Sequence, residues 1–522
     1  MLNKVSKENL FFFVFISLCL LTAIIVASWR INQPGLYYDE MLFVNAAVGG
    51  KGDIFMRYKI HGIPILLMNY IGAIKAWLYY PIFYIFPVNS WSLRFPSIVF
   101  GLSGGAMLVV ALWRGFGRFA ALAGAVMILL DPTLINHSRL DWGPNALMFF
   151  FRGLVILSLI NWIRTLDPKW AWAAVVALGL GIFDKLNFIW IGCAAFAATA
   201  IFYRVTLKAF AKNNPRHARI LLLATVTGLG VSIARGVFVA ESTHIGWSER
   251  ISYALHLIRV TLCGEGALDF ISGNGSQLEQ WVWPGYLVAA VVAIWGTRSI
   301  FMNNDTRRLF LWATTFLALL AMALIATKTA TGPHHASVLS GIWQFVLAAM
   351  LGAAWNSQVS YFRVIRVFAI SACLLVIAGN IKANTICINA FAKPINVNWD
   401  PANFNAALFA KEHPDADYIT ADWGLGLQII GATKDHPDIL DVWPMFTNEP
   451  QTEEVITGIR KDRDTYIYTR PPEFENFKGN RANLINALKK FHMSYEVSKT
   501  YADWQGRTII EIIRIPAINS TN

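Results

Sequence analysis

Residues 10–28 have the sequence LFFFVFISLCLLTAIIVAS, an apolar run that contains no charged side chain. A helix needs roughly 20 such residues to cross the hydrocarbon core of a bilayer, so this run predicts a membrane span. Lys4 and Lys7 precede it, as they would in a signal peptide, but the run is longer than the apolar core of a usual signal peptide. We therefore expect a first membrane helix that the mature protein retains.

The composition extends this prediction to most of the chain. Of the 522 residues, 56% are hydrophobic and only 15% are charged, whereas about 25% of the residues of a soluble protein are charged. Further apolar runs predict a polytopic α-helical membrane protein with about eleven transmembrane helices. The runs lie near residues 10–28, 91–113, 119–136, 145–163, 170–183, 188–203, 219–239, 283–297, 309–327, 336–355 and 364–385.

Basic residues occur on alternate connections between these spans. They are Lys4 and Lys7; Arg114 and Arg118; Arg164 and Lys169; Arg204, Lys208, Lys212, Arg216 and Arg219; Arg298, Arg307 and Arg308; and Arg363 and Arg366. Because cytoplasmic loops are enriched in lysine and arginine, we place these connections and the N-terminus in the cytoplasm. An odd number of spans in the cell (inner) membrane then puts the C-terminus outside, in the periplasm. The net charge of +12 follows from this pattern, so we expect no nucleic-acid partner.

Two regions lie outside the predicted spans. Residues 29–90 form a first outer segment whose apolar stretches we expect to be helices lying along the membrane interface. A span at residues 63–86 is the alternative, but it would move every later basic cluster to the outside. From residue 396 to 522 charges are common and apolar runs have the length of strands. This change predicts a small extracytoplasmic α/β domain.

The five cysteines show no metal-type spacing. Cys19, Cys193 and Cys373 fall in apolar spans and are most simply buried thiols. Cys263 and Cys387 fall near the predicted outer face, where a disulfide between them is the alternative to two free thiols.

The stretch PGLYYDEMLFVNAAVGG, residues 34–50, places Asp39 and Glu40 side by side among apolar residues. Acids at the start of a helix stabilise its dipole, which is the simplest explanation of the pair. Charged side chains beside lipid are costly and tend to mark functional sites, which is the alternative. A carboxylate in such a place suits a general base or a site for a divalent cation.

Three further polar clusters fall on the same predicted side of the membrane. NHSRLDWGPNALMF contains His137, Arg139 and Asp141, and a polar turn at its Gly-Pro pair is the simplest interpretation. In GLGIFDKLNFIW, Asp184 and Lys185 interrupt an apolar run, as a tight turn between two short spans would.

The last of these clusters is TKTATGPHHASVL, which contains Lys328, His334 and His335. Two adjacent histidines are weak evidence for a metal. The cationic groups of all these clusters suit an anionic head group. The chain has no GxxxxGK[ST], HExxH or GxSxG motif, so we expect no nucleotide cofactor and no ATP-driven pump.

The order of these motifs resembles that of the GT-C class of membrane glycosyltransferases, in the branch of protein O-mannosyltransferases and lipid A aminoarabinose transferases. These proteins carry an Asp-Glu pair in the first outer loop, which Asp39 and Glu40 match. His61, Pro64 and Arg94 are similar to their His-Pro-rich stretch and Arg-Phe/Leu-Pro-Ser element.

Later motifs extend the resemblance to about residues 10–355. SRLDWGPNAL is similar to an Arg-x-x-x-x-Asp element, with a shorter spacing between Arg139 and Asp141. FDKLNF, with Lys185, resembles a lysine-containing turn, and GPHHASVL, with His334 and His335, resembles a His-His turn.

The resemblance implies a catalytic GT-C domain over residues 1–395, membrane lipids as surroundings, a polyprenyl-phosphate sugar as donor and an extracytoplasmic acceptor. Asp39 would be the general base, with Glu40 and Asp141 in support, while Arg139 and Lys185 would hold the donor phosphate. The remaining candidate binding residues are His61, Arg94, Lys328, His334 and His335. A divalent cation, if used, would lie at Asp39, Glu40 or His335.

Two other functions stay open at this point. A transporter or lipid flippase could use the polar clusters as a gate, although such folds often show repeated halves, and the sequence has none. An oligosaccharyltransferase or glycan polymerase is the other alternative, since DWG at residues 422–424 is similar to part of a Trp-Trp-Asp element.

Overall fold

The computed structural model describes residues 7–48, 58–239, 246–273, 277–326, 332–357, 362–434 and 439–517. Its α-helices are α1 Lys7–Ser28, α2 Tyr38–Val48, α3 Ile74–Ile85, α4 Ser90–Phe116, α5 Arg118–Gly124, α6 Pro132–Leu140, α7 Asn145–Thr165, α8 Pro168–Asp184, α9 Ile189–Phe202, α10 Arg204–Asn213, α11 Pro215–Val239, α12 Trp247–Leu262, α13 Glu265–Ser272, α14 Glu279–Met302, α15 Asn304–Ala326, α16 Pro333–Ala336, α17 Ile342–Trp355, α18 Phe362–Phe391, α19 Ala402–Glu412, α20 Gly426–Thr433, α21 Glu449–Thr457 and α22 Asn480–Lys490. The strands are β1 Tyr58–Ile60, β2 Ile63–Met68, β3 Ile71–Gly72, β4 Asp417–Thr420, β5 Ile439–Asp441, β6 Thr465–Thr469, β7 Glu496–Ala502 and β8 Thr508–Ile515.

The chain folds into two compact units. Unit 1 consists of Met1–Trp29, Arg94–Phe270 and Asn274–Asn389, and unit 2 of Arg30–Leu93, Ile271–Gly273 and Ala390–Asn522. The first outer segment, which the sequence analysis placed with the membrane domain, is thus part of the same unit as the C-terminal region. A shared core explains this, because the side-chain amide of Gln428 donates to the carbonyl of Leu36 at 2.7 Å. A Cβ added at Gly431 would lie 2.2 Å from Cε of Met41.

The membrane helices belong to unit 1. Among the described residues, eight helices are long and apolar enough to cross a membrane, or up to ten if each of two bent pairs forms one span. The predicted number of eleven spans is therefore not confirmed, although the polytopic helical class is. The difference lies at α8, whose 17 residues extend about 26 Å, less than the hydrocarbon thickness of about 30 Å.

The third predicted span is broken into two helices that meet at an angle of 50°. A π-helical turn continues α5, and Asp131 then caps α6 by accepting a hydrogen bond from the backbone N–H of Leu134 at 3.2 Å. Pro132 occupies the first turn of α6, where its missing N–H leaves no bond unmade. This Asp-Pro start aims α6 differently from α5, and α6 carries His137 and Arg139 in its last turn.

Glycines allow α4 and α7 to pack with their backbones in contact. A Cβ added at Gly104 would lie 2.2 Å from the carbonyl oxygen of Phe149, and one at Gly153 would lie 2.3 Å from that of Gly104. Small residues at a helix crossing permit such an approach. The crossing holds the first half of α7 against α4, so the polar side chains at the start of each helix have fixed positions.

Unit 2 contains two sheets. One has the order β1-β2-β3, and the other has the order β5-β4-β6-β8-β7. In the second sheet β4 is parallel to β5 and β6, while β8 is antiparallel to β6 and β7. The predicted small C-terminal α/β region is confirmed, and its predicted strands are β4, β6 and β8.

The prediction of interfacial helices in the first outer segment is wrong for residues 63–72. His61 and Gly62, with φ of +48° and +81°, form a two-residue turn between antiparallel β1 and β2, as hairpin turns of this type require. The apolar side chains of α2 are buried within unit 2 and do not lie along an interface. Helix α3 is present as expected.

Candidate active site

In unit 1, the turns that end α6 and α8 and the start of α7 bring polar side chains together. We call His137, Asp141, Asn145, Lys185 and His334 the polar cluster. The ammonium of Lys185 lies 3.5 Å from the amide oxygen of Asn145, and the amide nitrogen of Asn145 lies 3.4 Å from Nδ1 of His137. Lys185 and His334 both lie beside Gly143, so the Asp141 turn, the Lys185 turn and the His-His turn, which are separate in sequence, meet in one place.

Asp141 holds the turn between α6 and α7. Its backbone has the left-handed conformation, with φ 45° and ψ 42°. One carboxylate oxygen accepts from the backbone N–H of Ala146 at 2.9 Å, and the other accepts from the hydroxyl of Ser97 at 3.0 Å. Asp141 therefore caps the start of α7 and ties it to α4, so its orientation is fixed by the fold.

Lys185 ends α8 in an extended conformation, with φ −147° and ψ 119°. Its side chain is 2% exposed. An ammonium carries three N–H donors, and a buried one needs polar or anionic partners because its desolvation is costly. A buried lysine at the carboxyl end of α8, beside the amide oxygen of Asn145, has the chemistry of an anion-binding group.

Gly143 lies between two members of the polar cluster. Its φ is +58°, and a Cβ added there would lie 3.2 Å from Nζ of Lys185 and 3.7 Å from Cδ2 of His334. Glycine therefore meets two needs at this turn, because the backbone is left-handed and the space beside the lysine is filled. The sequence alone predicts this glycine only as part of a turn.

The two adjacent histidines stack on each other, with ring centroids 4.0 Å apart. His334 also packs against Trp142, whose ring stacks on Phe270 at 4.1 Å. Within the described part of the chain, Nδ1 of His334 is buried and has no hydrogen-bond partner. The predicted part of His335 in binding stays a prediction.

Arg139 is fully buried and contacts the end of α1. Its Nη1 donates to the carbonyl oxygen of Trp29 at 2.6 Å and approaches that of Ala27 at 3.4 Å. The last carbonyls of a helix lack partners within the helix and carry a partial negative charge, so a cation is stabilising there. This contact gives Arg139 a structural task, and its predicted part in holding a phosphate stays a prediction.

In unit 2, Asp39 and Glu40 lie in the first turn of α2. Glu40 is completely buried, and its Oε2 accepts from the backbone N–H of Tyr37 at 2.9 Å. Asp39 is half-buried. The simplest reason for an acid at a helix start therefore applies directly to Glu40, whose carboxylate bonds the entrance of its own helix.

Tryptophans of the C-terminal region pack on the start of α2, which the sequence analysis did not foresee. Tyr37 stacks on Trp399 at 4.3 Å, and Tyr38 lies against Trp423 at 4.3 Å. Burial raises the pKa of Tyr38, and the negative charges of Asp441 and Asp39 raise it further. The aromatic contacts fix the direction in which α2 begins.

Asp441 is a second residue that sequence reasoning missed. It ends β5, and its Oδ1 accepts from the hydroxyl of Thr420 at the end of the parallel strand β4, at 2.5 Å. Burial raises the pKa of Asp441 to about 6, and the Thr420 hydroxyl lowers it in part. The signal that could have identified it is its place at the carboxyl end of a short parallel strand.

The remaining predicted binding residues lie in different environments. His61 is exposed at the tip of the β1–β2 turn in unit 2. Arg94 is fully buried near the start of α4. Lys328 lies outside the described residues, so its predicted role is untested.

One group of metal-type ligand atoms lies within 4.8 Å among the described residues, and it consists of Cys263, Glu265 and Glu279. Glu265 accepts from two backbone N–H groups at the start of α14, at 3.0 and 3.2 Å. Glu279 pairs with Arg259 at 2.5 Å. Helix capping and an ion pair explain this group, and the predicted divalent cation at Asp39, Glu40 or His335 stays a prediction.

The cysteines of the described chain are free thiols. Cys263 and Cys387, for which a disulfide was an alternative, are both buried and unpaired with each other. Cys263 instead donates to the carbonyl oxygen of Arg259 at 3.2 Å within its own helix.

Comparisons with known proteins found a family model that matches part of the sequence and solved structures that share the fold. Residues 73–229 match the model of the dolichyl-phosphate-mannose-protein mannosyltransferase family, a segment that contains Asp141 and Lys185. No curated protein matches the chain by sequence.

Solved structures match over nearly the whole chain. ArnT from Cupriavidus metallidurans in the apo state has a TM-score of 0.59 at 13% identity, covering 97% of this chain and 98% of ArnT. The same protein bound to undecaprenyl phosphate has a TM-score of 0.58 at 12% identity, covering 95% and 97%. The oligosaccharyltransferase AglB from Archaeoglobus fulgidus has a TM-score of 0.53 at 14% identity, covering 96% of this chain and 74% of AglB. The predicted fold class is thus confirmed, and the chain has the fold of the GT-C class of membrane glycosyltransferases.

Proposed function

We propose that the protein is a glycosyltransferase that moves a single sugar from a polyprenyl-phosphate donor to a hydroxyl group of an acceptor outside the cytoplasm. The observation that carries the proposal is the buried Lys185 of the polar cluster, at the end of α8 in a GT-C fold. A solved structure of the same fold contains undecaprenyl phosphate. A lipid phosphate is the anion that such a lysine suits, because its tail stays in the bilayer.

We assign the binding of the donor phosphate to Lys185. A buried ammonium binds a phosphate oxygen more strongly than an exposed one, because water screens the charges less. The same contact stabilises the phosphate as negative charge develops on it when the bond to the sugar breaks. Asn145 orients the ammonium, and Gly143 has no Cβ that would crowd it.

We assign the activation of the acceptor hydroxyl to Asp39. In the transfer, the acceptor oxygen attacks the anomeric carbon of the sugar, and the bond from that carbon to the phosphate oxygen breaks. The polyprenyl phosphate leaves with the bonding electron pair, and the Asp39 carboxylate accepts the hydroxyl proton. Glu40 serves α2 through its bond to the Tyr37 backbone, which leaves the base role to Asp39.

The proposed topology follows the charge pattern, with the N-terminus in the cytoplasm and residues 396–522 outside, in the periplasm. Reporter fusions at Asn522 are expected to behave as exported. A cytoplasmic signal at that position would contradict this topology and would mean that the acceptor lies in the cytoplasm.

The buried pair of Asp422 and Arg470 weighs against an oligosaccharyltransferase. The DWG element at residues 422–424 motivated that alternative, but Asp422 is fully buried and lies 3.6 Å from the guanidinium of Arg470. It also accepts from the backbone N–H of Asn476 at 3.0 Å. These contacts make Asp422 part of the core of unit 2, where it serves the fold.

A chemical assay separates the proposed activity from transport. The purified protein in nanodiscs is supplied with a polyprenyl-phosphate sugar and an envelope extract as acceptor, with no ion gradient. We expect release of free polyprenyl phosphate that depends on both the protein and the acceptor. Movement of the intact donor across a vesicle membrane, with no phosphate released, would support a flippase and reject the transferase.

A further inference from the structure

An apolar cavity lies in unit 1 among α7, α8, α9, α10 and α11. It has a volume of about 400 Å³, within the range of about 300–1,000 Å³ typical of small-molecule sites. Its walls include Leu159, Trp162, Leu178 and Ala195. The proposed function does not use it.

The cavity offers little to a water-soluble molecule. Of the described residues that line it, those with a hydroxyl or a charge are Thr199, Thr225 and Lys208. Thr199 already accepts a hydrogen bond from the indole of Trp312 at 3.0 Å. A polar ligand would lose its hydrogen bonds to water in such a space, whereas a hydrocarbon chain would lose none.

The cavity is distinct from the polar cluster and extends along α7 away from it. Both regions contact α7, the cluster at Asn145 and the cavity at Trp162. Seventeen residues of helix separate these positions by about 25 Å. The cavity begins nearer the cluster, at Val155, about 15 Å along α7 from Asn145, and it extends away from the lysine assigned to the donor phosphate.

Helix α10 supplies positive charge at the cavity. It follows α9 after a bend of 90° and is anchored by Phe210, which is 4% exposed. Arg204, Lys208 and Lys212 are spaced by four residues, so they lie on one face of α10, and all three are exposed. A basic helix that lies across the ends of membrane helices has the features of an interfacial helix that attracts anionic lipids.

The neighbouring helix α11 is open to lipid. Its large side chains Leu223 and Val226 are 68% and 54% exposed. In a membrane-spanning helix such exposed apolar side chains face acyl chains. Leu222 of the same helix lines the cavity and is 57% exposed, so an acyl chain of the bilayer can reach the cavity from this side.

We propose that this cavity binds an acyl chain of an anionic glycerophospholipid, whose phosphate is held by Lys208. Arg204 and Lys212, one turn away on each side, add attraction without lining the cavity. The site is separate from the proposed donor site and does not depend on the transferase activity.

The head-group test uses the full-length protein in detergent and two lipids with the same acyl chains, phosphatidylglycerol and phosphatidylcholine. Binding is measured by native mass spectrometry or by titration. The electrostatic attraction between one basic residue and an anionic lipid corresponds to about a five-fold change in affinity. We expect Lys208→Gln to weaken phosphatidylglycerol binding about five-fold and to leave phosphatidylcholine binding unchanged.

Lys169→Gln is the matched control, because Lys169 is exposed at the start of α8 and does not line the cavity. It is expected to bind phosphatidylglycerol like the wild type. Equal affinities in Lys208→Gln, Lys169→Gln and the wild type would overturn the proposal.

A second pair of variants tests whether the cavity holds the acyl chain of the lipid. Ala200 lines the cavity and Ala197, on the same helix, does not. We expect Ala200→Phe to weaken binding of both lipids and Ala197→Phe to weaken neither, with thermal unfolding of each variant as the check on folding. Unchanged binding in a folded Ala200→Phe protein, or displacement of phosphatidylglycerol by undecaprenyl phosphate at lower concentration, would reject a phospholipid site.

Discussion

Two regions each contain a pair of like charges to which the sequence assigns similar roles. The start of α2 in unit 2 contains Asp39 and Glu40, and the region from α6 to α8 in unit 1 contains Arg139 and Lys185. In each region one of the two bonds a helix end. Glu40 accepts from the Tyr37 backbone, and Arg139 donates to carbonyls at the end of α1. The helix ends account for Glu40 and Arg139, which leaves Asp39 and Lys185 as the better candidates for chemistry.

The largest expected effect separates the two acids. Asp39→Asn keeps the size of the side chain but removes the base, and we expect turnover to fall by roughly 100-fold or more. Glu40→Gln keeps a carbonyl oxygen that can still accept from the Tyr37 backbone, so turnover is expected to stay within about ten-fold of the wild type. Transfer rates of both purified variants, with thermal unfolding as a control, test this. A larger loss in Glu40→Gln than in Asp39→Asn would reverse the assignment.

The roles of Arg139 and Lys185 can be distinguished by measuring the stability of the protein. Arg139→Met leaves carbonyls at the end of α1 without a donor, and we expect a loss of about 1–3 kcal/mol of stability. The affinity of the remaining folded protein for undecaprenyl phosphate is expected to change less than about two-fold. Thermal unfolding in detergent and a lipid titration measure the two quantities. A stable Arg139→Met protein with weakened lipid binding would return Arg139 to the donor site.

Gly143→Ala tests the room beside Lys185. The added Cβ would lie 3.2 Å from the ammonium on a backbone with φ of +58°, and a left-handed residue with a Cβ costs roughly 1–2 kcal/mol. We expect slightly lower stability and a several-fold weaker affinity for undecaprenyl phosphate. Ala substitution at Gly179, where a Cβ would meet open space and φ is ordinary, is the control. Equal lipid affinity in both variants would show that Gly143 serves only the turn.

The smallest expected effect lies in unit 2 and depends on pH. The pKa of Asp441 is raised to about 6 by burial, above the ordinary value of about 3.9 in an unfolded chain. The folded protein then binds the proton more tightly, so this residue's contribution to stability falls as pH rises from about 4 to about 6 and stays low above that. Asp441→Asn removes the dependence. We expect its stability relative to the wild type to be higher at pH 8 than at pH 4, by thermal unfolding. A difference that does not change with pH would reject this account of Asp441.

Local properties of the sequence were sufficient for the membrane helices and for several candidate residues. A run such as residues 10–28 needs only length and hydrophobicity to be identified. Lys185 was found because a charge in an apolar run is rare, and the structure places it beside Asn145. These features depend on neighbours in sequence, which a reader of the sequence can see.

Features that depend on distant contacts could not be predicted. The burial of α2 depends on partners such as Gln428, which bonds the Leu36 carbonyl from nearly 400 residues away. The strand β2 has an apolar run without alternation, so its sequence does not distinguish strand from helix. The task of Arg139 at the end of α1 follows from packing between helices that no spacing in the sequence reveals.

The central claim, that Lys185 holds the phosphate of a lipid-linked donor, is tested most directly by titrating undecaprenyl phosphate into the protein in nanodiscs. Wild type, Lys185→Met and the control Lys169→Met are compared, and folding is checked by thermal unfolding. Loss of a hydrogen bond to a charged group costs about 1.5–3 kcal/mol, so we expect Lys185→Met to bind roughly ten- to hundred-fold more weakly, while Lys169→Met binds like the wild type. A folded Lys185→Met protein with wild-type affinity would contradict the account.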